Sequence, residues 1–141
     1  MLKIGGALNL LISAAHLIGL IWEQEMYYYT GISAEMTELA TVHPLLPTLL
    51  TLFVAVVFAI FGLYGLSAAG VFRKMPWLKI GVFTVAAIYI LRGVGELLID
   101  QINDLNSSLE LTFSLVALAI GILYLIGGLR KWSSKQNIAK A

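Results

Sequence analysis

The chain has 141 residues, of which 60% are hydrophobic and only 12% are charged; ordinary soluble domains are roughly 45 to 50% apolar and about 25% charged. This composition excludes a water-soluble globule, and the length predicts a single domain over residues 1–141. With no cysteine and a formal net charge of +1, the chain offers no disulfide or thiolate chemistry and no basic surface for a nucleic-acid partner.

Four apolar stretches approach or exceed the roughly 20 residues that a helix needs to cross a bilayer core. They cover residues 4–22, 45–72, 80–99 and 111–129. Runs this long and continuous predict helices, because barrel strands would alternate polar and apolar residues over about ten positions. We therefore predict an all-α integral membrane protein, built as an up-and-down antiparallel four-helix bundle.

The first span carries polar residues on one face. Asn9, Ser13 and His16 are spaced by four and three positions, and Glu23 follows seven positions later, so all of them fall on the same side of a helix. Apolar residues continue through positions 17–22, beyond any plausible signal-peptide cleavage site. We expect this span to be retained as the first helix.

The connection between the first two spans is long and acidic. A short surface helix is expected from Ser33 through Ala40, with Ser33 as its cap and with Glu35 and Glu38 near its start, where the helix dipole favours anions. The alternative is a loop anchored at the membrane interface by the tyrosines at positions 27–29.

Charges divide the connections into two classes. Basic residues occupy the N-terminus, the second connection and the tail, at Lys3, Arg73, Lys74, Lys79, Arg130, Lys131, Lys135 and Lys140. Acidic residues occupy the first and third connections, at Glu23, Glu25, Glu35, Glu38, Asp100, Asp104 and Glu110. The positive-inside rule then predicts that both termini and the second connection are cytoplasmic.

Small residues mark the faces on which these helices are expected to pack, because the hydrophobic effect does not drive helix association in lipid. The second span presents Thr48, Thr51, Ala55, Ala59 and Gly62, and the fourth presents Ser114, Ala117, Gly121, Tyr124 and Gly128. Such stripes serve contacts within and between chains equally well, so a homo-oligomer or a membrane-protein partner stays open.

Arg92 and Glu96 are the only charged residues well inside a span, and their spacing of four places them on one helix face. Burying each in lipid is expected to cost about 2.5 to 3.5 kcal/mol. Counting about 1.5 Å per residue brings polar residues of the other spans to a similar depth. We predict an outward-opening intramembrane polar site made of His16, Thr48, Thr51, Tyr89, Arg92, Glu96 and Ser114.

Three interpretations of this site are open. In the leading one, Arg92 binds a small amphiphilic or lipidic anion that His16 and Glu96 orient. In the second, the charges neutralise each other and only fix helix register, and the protein is an accessory that acts through partners. In the third, His16 and Glu96 are the acid and base of a membrane enzyme. No nucleophile is evident, so we expect binding rather than catalysis.

We expect no metal and no cofactor. The sequence has two histidines, His16 and His43, and neither forms a ligand pair with another side chain at helical spacing. A bis-histidine haem would need ligands at matching depths, whereas His43 sits at the interface beside Pro44 and His16 lies deeper. The expected partners are therefore the lipid bilayer and a lipidic or small anionic ligand.

One set of residues carries a family resemblance. It consists of FGLYGLSAAG at 61–70, then Arg73, Pro76, Leu78 and Lys79, and then YILRG at 89–93. Through these residues, the second and third spans resemble a family of small four-helix inner-membrane proteins of bacteria. The activity of that family is not known. The resemblance implies the same fold and a bacterial inner membrane, and it implies no activity.

Overall fold

The structure is a computed structural model that describes the backbone of residues 1–102 and 108–138 and the side chains of residues 1–99 and 108–133. All its regular elements in these ranges are helical: α1 (Leu2–Gly19), a 3-10 turn (Leu20–Trp22), α2 (Glu23–Thr30), α3 (Ser33–Val42), α4 (Leu46–Ala68), α5 (Leu78–Ile102) and α6 (Ser108–Ile138). Asp104 and Lys140, which contribute to the predicted charge asymmetry, lie outside the described residues.

Four helical segments of the described chain are long and apolar enough to cross a membrane: Leu2–Thr30, Leu46–Ala68, Leu78–Ile99 and Ser108–Ser133. Only 22 to 28% of the residues in the most apolar part of each are buried within the chain. The apolar surface left outside is far larger than soluble proteins expose to water, and lipid accounts for it. The prediction of an all-α, multi-pass membrane protein is confirmed, and the up-and-down topology stays a prediction.

Among the helix ends that differ from the predicted spans, two are set by a glycine. The first helical path does not stop at Trp22, because the 3-10 turn leads directly into α2, which ends at Gly31 with a left-handed φ of 77°. The second span was expected to reach residue 72, but α4 ends at Ala68 because Gly70 takes a φ of 76°. Glycine adopts this conformation without steric cost and commonly terminates helices.

The expected short helix of the first connection is confirmed as α3, which extends two residues past Ala40 to Val42. The capping prediction was wrong: Ile32 occupies the cap position, and no side chain caps the helix. The tyrosines at positions 27–29 belong to α2 and do not form an interfacial loop.

The chain divides into two compact units. Unit 1 comprises Met1–Leu8 and Phe61–Ala141, and unit 2 comprises Asn9–Ile60. In unit 1, α5 and α6 pack along each other, and the buried side chains include Val82, Val85, Ala86, Tyr89, Ala117, Ile120 and Tyr124. The small-residue stripe predicted on the fourth span is buried as expected, from Ser114 through Gly128.

Unit 2 is held by polar contacts as well as by apolar packing. The buried Ser13 hydroxyl on α1 donates to the Ala55 carbonyl on α4 at 2.8 Å. Asn9 and Thr51 are also buried in this unit. The polar face predicted for the first span is therefore buried at Asn9 and Ser13, where interhelical hydrogen bonds are expected to stabilise packing in lipid.

Candidate functional site

Arg92 and Glu96 form an ion pair one helical turn apart on α5. The Arg92 Nη2 atom lies 2.9 Å from Glu96 Oε1. The other carboxylate oxygen, Oε2, accepts a hydrogen bond of 3.1 Å from the Ser114 hydroxyl on α6. Glu96 therefore links α5 to α6, because its carboxylate contacts both Arg92 and Ser114.

The members of this pair differ in exposure. The Arg92 side chain is 57% exposed and that of Glu96 is 36% exposed, while Ser114 is fully buried. The hydrogen bond from Ser114 holds the carboxylate at the helix interface, and the guanidinium extends from it to the surface of unit 1. An arginine can bind a carboxylate or phosphate through two parallel N–H groups, and here Nη2 contacts the carboxylate of Glu96.

Close helix packing sets the position of the ion pair. A Cβ on Gly93 would lie only 2.9 Å from the Ser114 carbonyl oxygen, so α5 and α6 approach closely between the two charges. Tyr89, one turn before Gly93, is 5% exposed, and its ring meets that of Phe61 edge to face at a centroid distance of 6.1 Å. Tyr89 thus lies in the core of unit 1 beside the charged pair.

Thr48 and Thr51 belong to a polar cluster of unit 2 that is centred on Glu23. The Glu23 Oε1 atom accepts hydrogen bonds from the Tyr27 hydroxyl at 2.6 Å and from the Thr48 hydroxyl at 2.9 Å. The Tyr27 oxygen is also 3.1 Å from the Thr51 hydroxyl oxygen. Thr51 donates in turn to the Pro47 carbonyl at 3.0 Å.

This Glu23 cluster contains two residues that the sequence-based site omitted, Glu23 and Tyr27. The polar face of the first span already included Glu23, and Tyr27 follows it by one helical turn. The signal was therefore present in the spacing, but it is interpretable only once the helical path is known to continue beyond Trp22.

His16 lies on α1 in unit 2. Its Nδ1 atom is 2.8 Å from the Ile12 carbonyl oxygen, and because a carbonyl can only accept, Nδ1 carries the hydrogen. The ring packs against Phe58 at a centroid distance of 5.2 Å. His16 thus donates one turn back along its own helix. Among the described side chains, residues 1–99 and 108–133, no three His, Asp or Glu are grouped as metal ligands would be.

The predicted site residues are thus distributed over the two units. In unit 1, Arg92 and Ser114 each contact Glu96, and Tyr89 lies nearby. In unit 2, Thr48 and Thr51 belong to the Glu23 cluster. A single site that joins both sets stays a prediction. The chain matches no protein-family model, no curated protein and no solved structure, so the resemblance to bacterial inner-membrane proteins also stays a prediction.

Proposed function

We propose that the protein binds the anionic group of a lipid or another small amphiphile at Arg92. The observation that carries this proposal is the 57% exposure of the Arg92 side chain within the membrane-spanning segment Leu78–Ile99. A cation at the lipid-exposed surface of a span is costly unless it pairs or reaches polar surroundings. The carboxylate that pairs with it, on Glu96, is already shared with Ser114.

The depth of Arg92 suits a headgroup ligand. Arg92 precedes Ile99, the end of the span, by seven residues, which corresponds to about 10 Å along the helix. A long arginine side chain can extend its charged end toward the interface while its methylene groups remain in lipid. The guanidinium can then meet a phosphate or carboxylate, and the chain of the amphiphile can lie along the apolar surface of α5.

The orientation and location of the protein belong to the same proposal. The resemblance of the second and third spans supports a bacterial inner membrane as the location. Basic residues at one set of helix ends support an orientation with both termini in the cytoplasm. Arg92 and Glu96 then lie toward the outer leaflet, so the ligand would enter from the periplasmic side. The proposal requires only Arg92, Glu96 and Ser114, all of which are in unit 1.

Native mass spectrometry after gentle extraction from the source membrane tests this function. A stoichiometric lipidic adduct is expected on the wild-type protein and on Glu96→Gln, because glutamine still accepts from Ser114 and releases the guanidinium for the ligand. Arg92→Gln should lose the adduct and remain folded. A folded Arg92→Gln that retains the same adduct would exclude the proposal.

A purely structural ion pair gives a different pattern. Removing one member of a desolvated pair leaves an uncompensated charge, so Arg92→Gln would then destabilise the fold. The double variant Arg92→Gln/Glu96→Gln would restore stability. That rescue, together with a wild-type protein that carries no adduct, would identify the pair as a device that fixes the register of α5 and α6.

A further inference from the structure

Unit 1 has a second polar feature, at the end where α4 and α6 finish their spans and α5 begins. An open cleft of about 840 Å³ lies there. Its lining includes two tryptophans and three basic side chains, Trp77, Trp132, Lys74, Lys79 and Lys131. Since three spans end at this level, the cleft is placed at the height of the lipid headgroups.

Hydrogen bonds hold the walls of this cleft in place. The Lys131 ammonium group on α6 donates to the carbonyl of Ala68, the last residue of α4. The Ser67 hydroxyl accepts from the Met75 backbone N–H at 3.0 Å, and the Tyr64 hydroxyl donates to the Pro76 carbonyl at 3.3 Å. The connection between α4 and α5 is therefore tied to the helices, and a ligand would meet an ordered surface at small entropic cost.

The cleft is basic with no acidic residue close in sequence. Lys74 and Lys79 are exposed. No aspartate or glutamate occurs between Glu38 and Glu96 or after Glu110. Basic pockets between membrane helices, near the membrane surface, are typical binding sites for anionic lipid headgroups.

The two tryptophans indicate that the occupant is a lipid rather than a soluble ion. Trp77 is 79% exposed and has a left-handed φ of 51°, which is a strained conformation for a residue with a side chain. Trp132 packs on Phe83 at a ring distance of 5.8 Å, and the Lys131 Nζ atom lies 5.7 Å from the Trp132 ring. Indole rings at this level favour the boundary between headgroups and acyl chains.

We propose that this cleft binds the phosphodiester headgroup of an anionic phospholipid of the bilayer. Lys74 and Lys79 contact the phosphate, and the indoles of Trp77 and Trp132 flank the glycerol region. The acyl chains follow the exposed apolar side chains that begin with Ile80. The site shares no residue with the Arg92 site, so either can exist without the other.

Tryptophan quenching by brominated phospholipids in nanodiscs tests the proposal. Trp22→Phe removes the third tryptophan of the chain and leaves the two in the cleft as reporters. Brominated phosphatidylglycerol should quench the tryptophan fluorescence at a lower mole fraction than brominated phosphatidylcholine. Lys74→Gln/Lys79→Gln should reduce the preference for phosphatidylglycerol over phosphatidylcholine by about fivefold per lysine removed. Lys74→Arg/Lys79→Arg should keep this preference.

A control double variant distinguishes a specific lipid site from a general attraction between anionic lipids and the basic end of the protein. Arg73→Gln/Arg130→Gln removes the same charge from exposed neighbours that do not line the cleft, and it should leave the preference unchanged. An equal loss in both double variants, or equal quenching by the two lipids, would overturn the proposal. Displacement of phosphatidylglycerol by excess inorganic phosphate would also overturn it, by assigning the cleft to a soluble anion. Arg92→Gln should have no effect.

Discussion

The Tyr124 hydroxyl on α6 donates a hydrogen bond of 2.6 Å to the carbonyl of Phe61 on α4. Tyr124 is fully buried, so few water molecules or headgroups can reach its hydroxyl and replace this bond. This hydrogen bond joins two membrane-spanning segments within unit 1.

Tyr124→Phe should therefore lower the free energy of unfolding by about 1 kcal/mol, the usual net value of a hydrogen bond between membrane helices. The measurement is an unfolding titration in mixed micelles. Tyr64→Phe is the matched control, because the Tyr64 hydroxyl makes a longer, exposed bond of 3.3 Å to Pro76. Equal losses in the two variants would show that burial does not strengthen the bond to Phe61.

Gly65→Ala should be among the most destabilising substitutions in unit 1. A Cβ at Gly65 would lie 2.5 Å from the Tyr124 hydroxyl oxygen and 2.8 Å from the Gly6 Cα atom, and backbone cannot move aside as a side chain can. We expect a loss of about 1 to 3 kcal/mol or more, as is typical of overpacking.

The control for this substitution is Gly95→Ala, since a Cβ there would have nothing within 4 Å. Alanine is about 1 kcal/mol better than glycine inside a helix, so the control should be neutral or stabilising. A Gly65→Ala variant as stable as Gly95→Ala would contradict the close approach of α1 and α4 in this unit.

The Glu23 cluster predicts a contrast between two substitutions of one residue. Glu23→Ala leaves the Tyr27 and Thr48 hydroxyls without their acceptor, and the expected cost is about 1 to 3 kcal/mol. Glu23→Gln keeps a side-chain oxygen and should cost less. Both are measured by thermal unfolding in detergent, with the exposed Glu25→Ala as the control. Equal losses for the two substitutions would mean that the charge matters more than the hydrogen bonds.

Membrane orientation can be measured directly because the sequence contains no cysteine. A membrane-impermeant maleimide should label Glu35→Cys, on α3, in intact spheroplasts. Lys74→Cys, between α4 and α5, should be labelled only after permeabilisation, since the basic connections are expected in the cytoplasm. The reverse pattern would place both termini outside.

Hydropathy predicted the four spans because the thickness of the bilayer imposes one length on every crossing helix. The helix ends were harder to predict from the sequence, since they depend on single backbone conformations such as the left-handed φ at Gly70. The ion pair could be predicted from the sequence because Arg92 and Glu96 lie on one helix, where their spacing determines how close they are.

The Glu23 cluster was only partly predicted. Thr48 and Thr51 were recognised as polar residues on a packing face, but their contacts Glu23 and Tyr27 lie on a different helix, α2, which begins after a 3-10 turn. Sequence spacing does not report such contacts. The contact of Ser114 with Glu96 has a simpler origin, because a small polar residue on a buried stripe is placed to reach the adjacent helix.

Helix α6 has 31 residues, which corresponds to about 46 Å at 1.5 Å per residue, whereas the hydrocarbon core is only about 30 Å thick. One continuous rod therefore runs through the lipid and emerges from it. A protein of 15.4 kDa has little mass of its own for particle alignment in electron microscopy. A soluble helical domain spliced in phase onto the emerging turns would move with the membrane part as one body, without a flexible joint.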